Sequence, residues 1–255
     1  MNVKPIKLTR LEDLSATEET RLIKERFTHL AARVNDAYRT LYGGAETGAD
    51  AIVLLAVAGD FLELMNQLDK EYGPDEPLAI EDADEATDET LRCLAELEVW
   101  LDRLGLADLK ANLQTVMLGV GLWAMRHGCR IRTAEPLVNA LAERANHAVT
   151  RQDVAAAYGM MQGFIEFLAP VLGADLERSN PERPWRMLNL NFAITAIRSG
   201  DEILMRFAFD KLNEHLPDDR SGFYVEALQI AEQAGLPEDA QALIRGQAAK
   251  WTRLH

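Results

Sequence analysis

Apolar residues recur at spacings of three and four along almost the whole chain, and strand-like alternation bounded by turns is nearly absent. That period places apolar side chains on one face of an α-helix, so the sequence predicts an all-α protein. An apolar share of 48% over 255 residues is enough for a sizeable core.

The punctuation is explicit. Ser15 and Glu18 form an S-x-x-E capping box that opens a first helix, which runs to about Tyr42 before Gly43-Gly44. A second helix, from about Asp50 to Tyr72, carries Ile52, Leu55, Phe61, Leu62, Met65 and Leu68, and the two are expected to form a hairpin. The stretch 73–88, GPDEPLAIEDADEATD, holds two prolines and a cluster of acids. No glycine follows Asp82 and Asp84 where the turn of an EF-hand loop needs one, so it reads as a solvated linker whose acids gather at the next helix N-terminus. Beyond it, helices are predicted at about 88–104, 106–127, 134–148, 151–172, 183–199, 201–215, 219–235 and 237–252, cut by Gly105, Gly128, a Thr150–Asp153 cap, Pro181, Pro184, Gly200-Asp201, Pro217 and Gly235-Leu236-Pro237. The expectation is about ten helices in antiparallel hairpins: an N-terminal hairpin with its tail over 1–72, the linker over 73–88, and a helical-hairpin array over 89–255.

The array carries a hint of repetition. Gly200 and Gly235 each separate an Ala-rich helix from one that opens with acids, in IRSGDEIL and EQAGLPEDA. Ala193, Ala196, Gly200, Phe209, Leu212 and Pro217 in one copy, and Ala227, Ala231, Gly235, Ala240 and Ile244 in the next, resemble tetratricopeptide-type repeats over roughly the last 70 residues. Met205 stands where that family usually has a small residue, and neither copy has the usual tryptophan near the start of its first helix. The resemblance implies an α-solenoid-like C-terminal part whose concave face binds a peptide or partner protein, with asparagines and basic residues of the inner helices holding peptide backbone or carboxylate.

Charge and motifs narrow the function classes. The chain has 41 acidic against 27 basic residues, net −14, which repels phosphate backbones and anionic lipid. The apolar run from Val116 to Met125 is far shorter than the ~20 residues of a spanning helix. No HExxH, GxSxG, Walker A or paired ExxH motif occurs, so catalysis and a cofactor are not expected. Glu143 with His147 and Glu25 with His29 are i, i+4 pairs that supply at most half of a metal site, and no further ligand can be named, so no metal is expected. Two isolated cysteines, Cys93 and Cys129, and an N-terminus without an apolar h-region suit the cytoplasm, while 20 Arg against 7 Lys hints at a GC-rich bacterial source.

Two clusters stand out as candidate binding residues. In TVMLGVGLWAMRHGCRIRT, Gly119 and Gly121 sit in a helix apolar all round, where two glycines, each costing about 1 kcal/mol relative to alanine, imply close approach of a neighbouring helix or a ligand. The run ends in Arg126, His127, Arg130 and Arg132, which either complement a helix C-terminus and meet neighbouring acids or bind a carboxylate or phosphate beside the Thr133 cap. In PWRMLNLNFAITAIRSG, Asn189 falls among apolar neighbours and must be hydrogen-bonded, to backbone or to a ligand. Arg186, Asn191 and Arg198 flank it.

The expected function is a non-catalytic interaction module, an adaptor or accessory factor, that binds a peptide or partner protein, with basic ones favoured by the acidic exterior, through a helical groove. Homo-oligomerisation is a further possibility. The alternative is a helical small-ligand binder, or an enzyme lacking a known motif, with an arginine-lined anion pocket.

Overall fold

The computed structural model describes residues 15–43, 51–78, 81–233 and 235–252. The N-terminal tail, Gly44, the start of the second predicted helix at Asp50 and residues 79–80 of the acidic stretch lie outside the described residues. Among the described residues the fold is all-helical, with ten α-helices and no strand. They are α1 (Ala16–Tyr42), α2 (Ala51–Tyr72), α3 (Glu81–Arg103), α4 (Lys110–His127), α5 (Glu135–Asn146), α6 (Arg151–Leu172), α7 (Pro184–Ser199), α8 (Glu202–His215), α9 (Arg220–Gln233) and α10 (Glu238–Thr252), with a short 3-10 turn, Ala107–Leu109, before α4.

The caps explain why the cuts were readable. Glu18 accepts from both the backbone N–H and the hydroxyl of Ser15, Asp153 and Thr150 exchange the same kind of bonds, and Asp201 accepts from the N–H groups of Ile203 and Leu204. Gly128 ends α4 in the left-handed conformation, φ 70°, which a side chain would oppose. The acidic stretch is where the structure departs from expectation. α3 begins at Glu81, not near residue 88, so the acids lie inside a helix. The buried hydroxyls of Thr87 and Thr90 donate to the carbonyls of Ala83 and Ala86 one turn back, which lets polar residues occupy the buried face.

The chain divides into two compact units, Met1–Ala140 and Leu141–His255. In the first, α1 packs against α2 and α4, and α3 packs against the same two, a ring of four helices. Ion and hydrogen-bond pairs run in opposite numerical order along neighbours: Thr20 with Asp69 and Lys24 with Glu63 between α1 and α2, Arg126 with Glu19 and Asn112 with Arg26 between α1 and α4. α1 is therefore antiparallel to both α2 and α4. The N-terminal hairpin and the two helices after the acidic stretch thus belong to one bundle.

In the second unit α7 packs between α6 and α8, and α9 packs on α10. Tyr158 stacks on Phe192 between α6 and α7, Tyr224 of α9 donates to Asn213 of α8, and the Arg220 guanidinium lies 3.7 Å from the Trp251 ring centroid between α9 and α10. Two helices, α2 and α6, have the length and mean hydropathy (1.5 and 1.3) of membrane-crossing segments, and 44% of the apolar stretch of each is buried inside the fold.

Candidate functional site

The glycine-rich segment of α4 has a direct explanation. A Cβ built on Gly119 would lie 2.1 Å and 2.4 Å from carbons of Ile23, a fully buried side chain of α1. The glycine is there so that α1 and α4 can approach, and no ligand is needed to account for it.

The arginine cluster that follows does not converge. Arg126 donates to Glu19 of α1 at 3.0 Å and to the carbonyl of Pro74 at 3.2 Å. Glu19 is itself buried, and burial raises its carboxyl above the ordinary value despite the Arg126 charge beside it. His127 is fully buried. Its Nδ1 lies 2.7 Å from the Glu76 carbonyl, which only accepts, so Nδ1 carries a proton. Its Nε2 lies 2.9 Å from Asp69 Oδ1, the oxygen that also accepts from Trp123 Nε1 at 2.8 Å, while Thr20 donates to Asp69 Oδ2 at 2.9 Å. One carboxylate thus ties α1, α2 and α4 together, and His127 and Arg126 pin the segment after α2.

Arg130 and Arg132 have exposed side chains, and their backbones carry the contact. Asp84 Oδ1 accepts from the N–H of Arg130, and Asp88 Oδ1 accepts from the N–H groups of Arg132 and Thr133, all at 2.8 to 2.9 Å. These N–H groups are what an anion at the start of α5 would use, and the protein supplies the carboxylates itself. Asp84 and Asp88, one turn apart on α3, are the residues that the linker reading missed. Their i, i+4 spacing beside Ala83, Thr87 and Leu91 was the available signal.

The second cluster borders a cavity. A groove of about 310 Å³ runs between α7 and α9. Its floor is two apolar stripes with helical spacing, Leu190, Ile194 and Ile197 on α7 and Phe223, Ala227 and Ile230 on α9. Arg186 and Arg198 stand on its edge with Asp218, Asp219 and Glu226. Arg186 donates to Asp219 at 2.6 Å and to the Pro181 carbonyl at 2.9 Å. Arg198 donates to the carbonyls of Ala145 and Ala148 at the end of α5, a C-terminal cap. Arg183 is buried in a pair with Asp175 and also reaches Asp219 at 3.5 Å, so the loop before α7 is tied to the α8–α9 turn. Both sequence-predicted arginines at this edge are therefore held by the protein's own acceptors, while Glu226 is exposed and makes no ion pair among the described residues.

Asn189 is 1% exposed and faces away from the groove edge, with Nδ2 donating to the Trp185 carbonyl and Oδ1 meeting His215 Nδ1, each at 2.8 Å. Asn191 is half-buried. Of the i, i+4 metal candidates, His147 binds the Glu143 carbonyl on an exposed turn and Glu25 pairs with Arg21. Among the described residues no three His, Cys, Asp or Glu side chains gather to hold a metal ion. Cys93 and Cys129 are free and buried, and burial pushes both thiols up to about 11. Comparison with models of protein families, with curated proteins and with solved structures gives no match.

Proposed function

We propose that this protein is a non-catalytic interaction module of the cytoplasm, an adaptor or accessory factor, that binds a segment of a partner protein in the groove between α7 and α9. The observation that carries this reading is the pairing of two apolar stripes with an acid-rich edge. Anchors such as Leu or Phe on a partner segment fit the floor, and flanking Lys or Arg meet Asp218 and Glu226. The resemblance to tetratricopeptide repeats supports the same place, since α7 and α9 would be the inner helices of two stacked hairpins, α7–α8 and α9–α10. The anion-pocket alternative gains less support, because Arg126, Arg186 and Arg198 already hold partners.

Selection of displayed random peptides on the full chain tests the reading. Enriched peptides should combine apolar anchors with basic residues, lose affinity as salt rises, and fail to bind Ile230→Lys, which puts a like charge on a position 46% exposed. Enriched peptides that bind Ile230→Lys as well as the wild type would remove the groove from the proposal.

A further inference from the structure

A second, smaller cavity of about 100 Å³ lies between α6 and α8, with Phe192 of α7 among its walls. Its volume is well below the ~300–1,000 Å³ of drug-sized sites, so any occupant is small. Phe192, Phe207 and Ile165 make it apolar within, and four polar side chains stand around it: Gln162 and Glu166, one turn apart on α6, and Lys211 and His215, one turn apart on α8.

The state of His215 is set by its neighbours. Asn189 Nδ2 donates to a backbone carbonyl, which fixes the amide so that Oδ1 faces the imidazole. His215 Nδ1 must then be the donor, and in the neutral ring Nε2 is left as an acceptor. Burial, with Trp185 4.9 Å away over the ring, lowers its pKa and so favours that neutral form. On α6, Gln162 donates to Glu166 Oε1 at 3.3 Å, leaving Glu166 Oε2 and Gln162 Oε1 as acceptors. Lys211 touches Glu214 at 3.4 Å and keeps further N–H donors.

Three acceptors, one ammonium and an apolar interior select for a particular chemistry. A plain amine meets Lys211 as a like charge, and a plain carboxylate meets Glu166 in the same way. A zwitterion satisfies both. We propose that this cavity binds a free α-amino acid with a small apolar side chain, its ammonium on Glu166, Gln162 and His215 Nε2, its carboxylate on Lys211, and its side chain against the edge-to-face pair Phe192 and Phe207. This site is independent of the α7–α9 groove and stands or falls separately from it.

The test is a methyl NMR titration of the full chain, followed at Ile165, with valine, with isobutylamine, which lacks the carboxylate, and with isovalerate, which lacks the ammonium. Valine should give a saturable shift, with each truncated compound bound at least about tenfold more weakly. Lys211→Met should bring valine to the affinity of isobutylamine, and Glu166→Gln to that of isovalerate. Both side chains are half-buried or exposed, so the variants retain the fold, which the remaining methyl spectrum verifies. Absence of saturation by valine with a Kd below about 1 mM would overturn the proposal, as would equal affinity for all three compounds.

Discussion

The four-helix bundle and the C-terminal hairpins contain similar residues arranged to opposite ends. In the bundle, polar and charged groups with a functional look, Arg126, His127 and the acids of α3, turn inward and satisfy backbone and side-chain partners. In the hairpins, charged groups stand at the edges of cavities whose interiors are apolar, and part of that charge, Glu226 above all, faces solvent. A cluster of arginines is thus a poor guide to a site on its own. What distinguishes a structural cluster from a candidate site is whether the backbone around it has already supplied acceptors and donors.

The largest way to break the contrast is to remove the carboxylate at the centre of the bundle network. Asp69→Ala strands Trp123 Nε1 and His127 Nε2 in a site that is almost wholly buried, while the Thr20 hydroxyl retains the Ala16 carbonyl as acceptor. Urea denaturation should show a loss of about 2–5 kcal/mol, since each buried donor left without an acceptor costs about 1–3 kcal/mol. A loss under about 1 kcal/mol would mean that the network is bystander polarity and that the bundle is held by its apolar core alone.

Close packing of α1 on α4 gives a smaller, paired effect. Gly119→Ala gains helix propensity but drives a methyl into Ile23, and overpacking typically costs about 1–3 kcal/mol. Shortening the obstacle with Ile23→Val in the same chain should recover part of that loss, so the double variant is more stable than the sum of the single changes predicts. Strict additivity would show that the two residues do not press on each other.

These two sites also show what was legible in the sequence. The helix cuts were readable because they are local: Ser15 with Glu18, Thr150 with Asp153, Gly128 and Gly200 each act within a turn of their own position. Gly119 could be read as a close approach, because an interior glycine costs stability unless something needs the space. Its partner Ile23 could not be read, since pairing across about 100 residues leaves no periodic trace. The start of α3 was missed because acids and prolines mimic a linker. Only the loop after α4 gives Asp84 and Asp88 their purpose. At the groove, Arg186 and Arg198 were found by type, but their engagement with Asp219 and with the end of α5 depends on tertiary geometry.

The smallest expected effect sets the two units against each other by the sign of a pH dependence. Glu19 in the bundle, near Arg126, Asp69 and Asp75, has a carboxyl raised above 4.5 by burial, so the folded state holds a proton that the unfolded chain has already lost. Its contribution is fully present below the unfolded value and is lost as pH rises through the raised one. His215 in the hairpins, near Glu214 and Lys211, is lowered below 6.5 by burial, so the unfolded chain takes up a proton that the folded state resists. Its contribution is present above the unfolded value and is lost as pH falls through the lowered one. Stabilities of the wild type, Glu19→Gln and His215→Gln between about pH 4 and 8 separate the two. The wild-type-minus-variant difference should fall with rising pH for Glu19→Gln and rise for His215→Gln. Slopes of the same sign would mean that one of the two groups is solvated, and a flat line for His215 would also weaken the neutral imidazole on which the small cavity's acceptor depends.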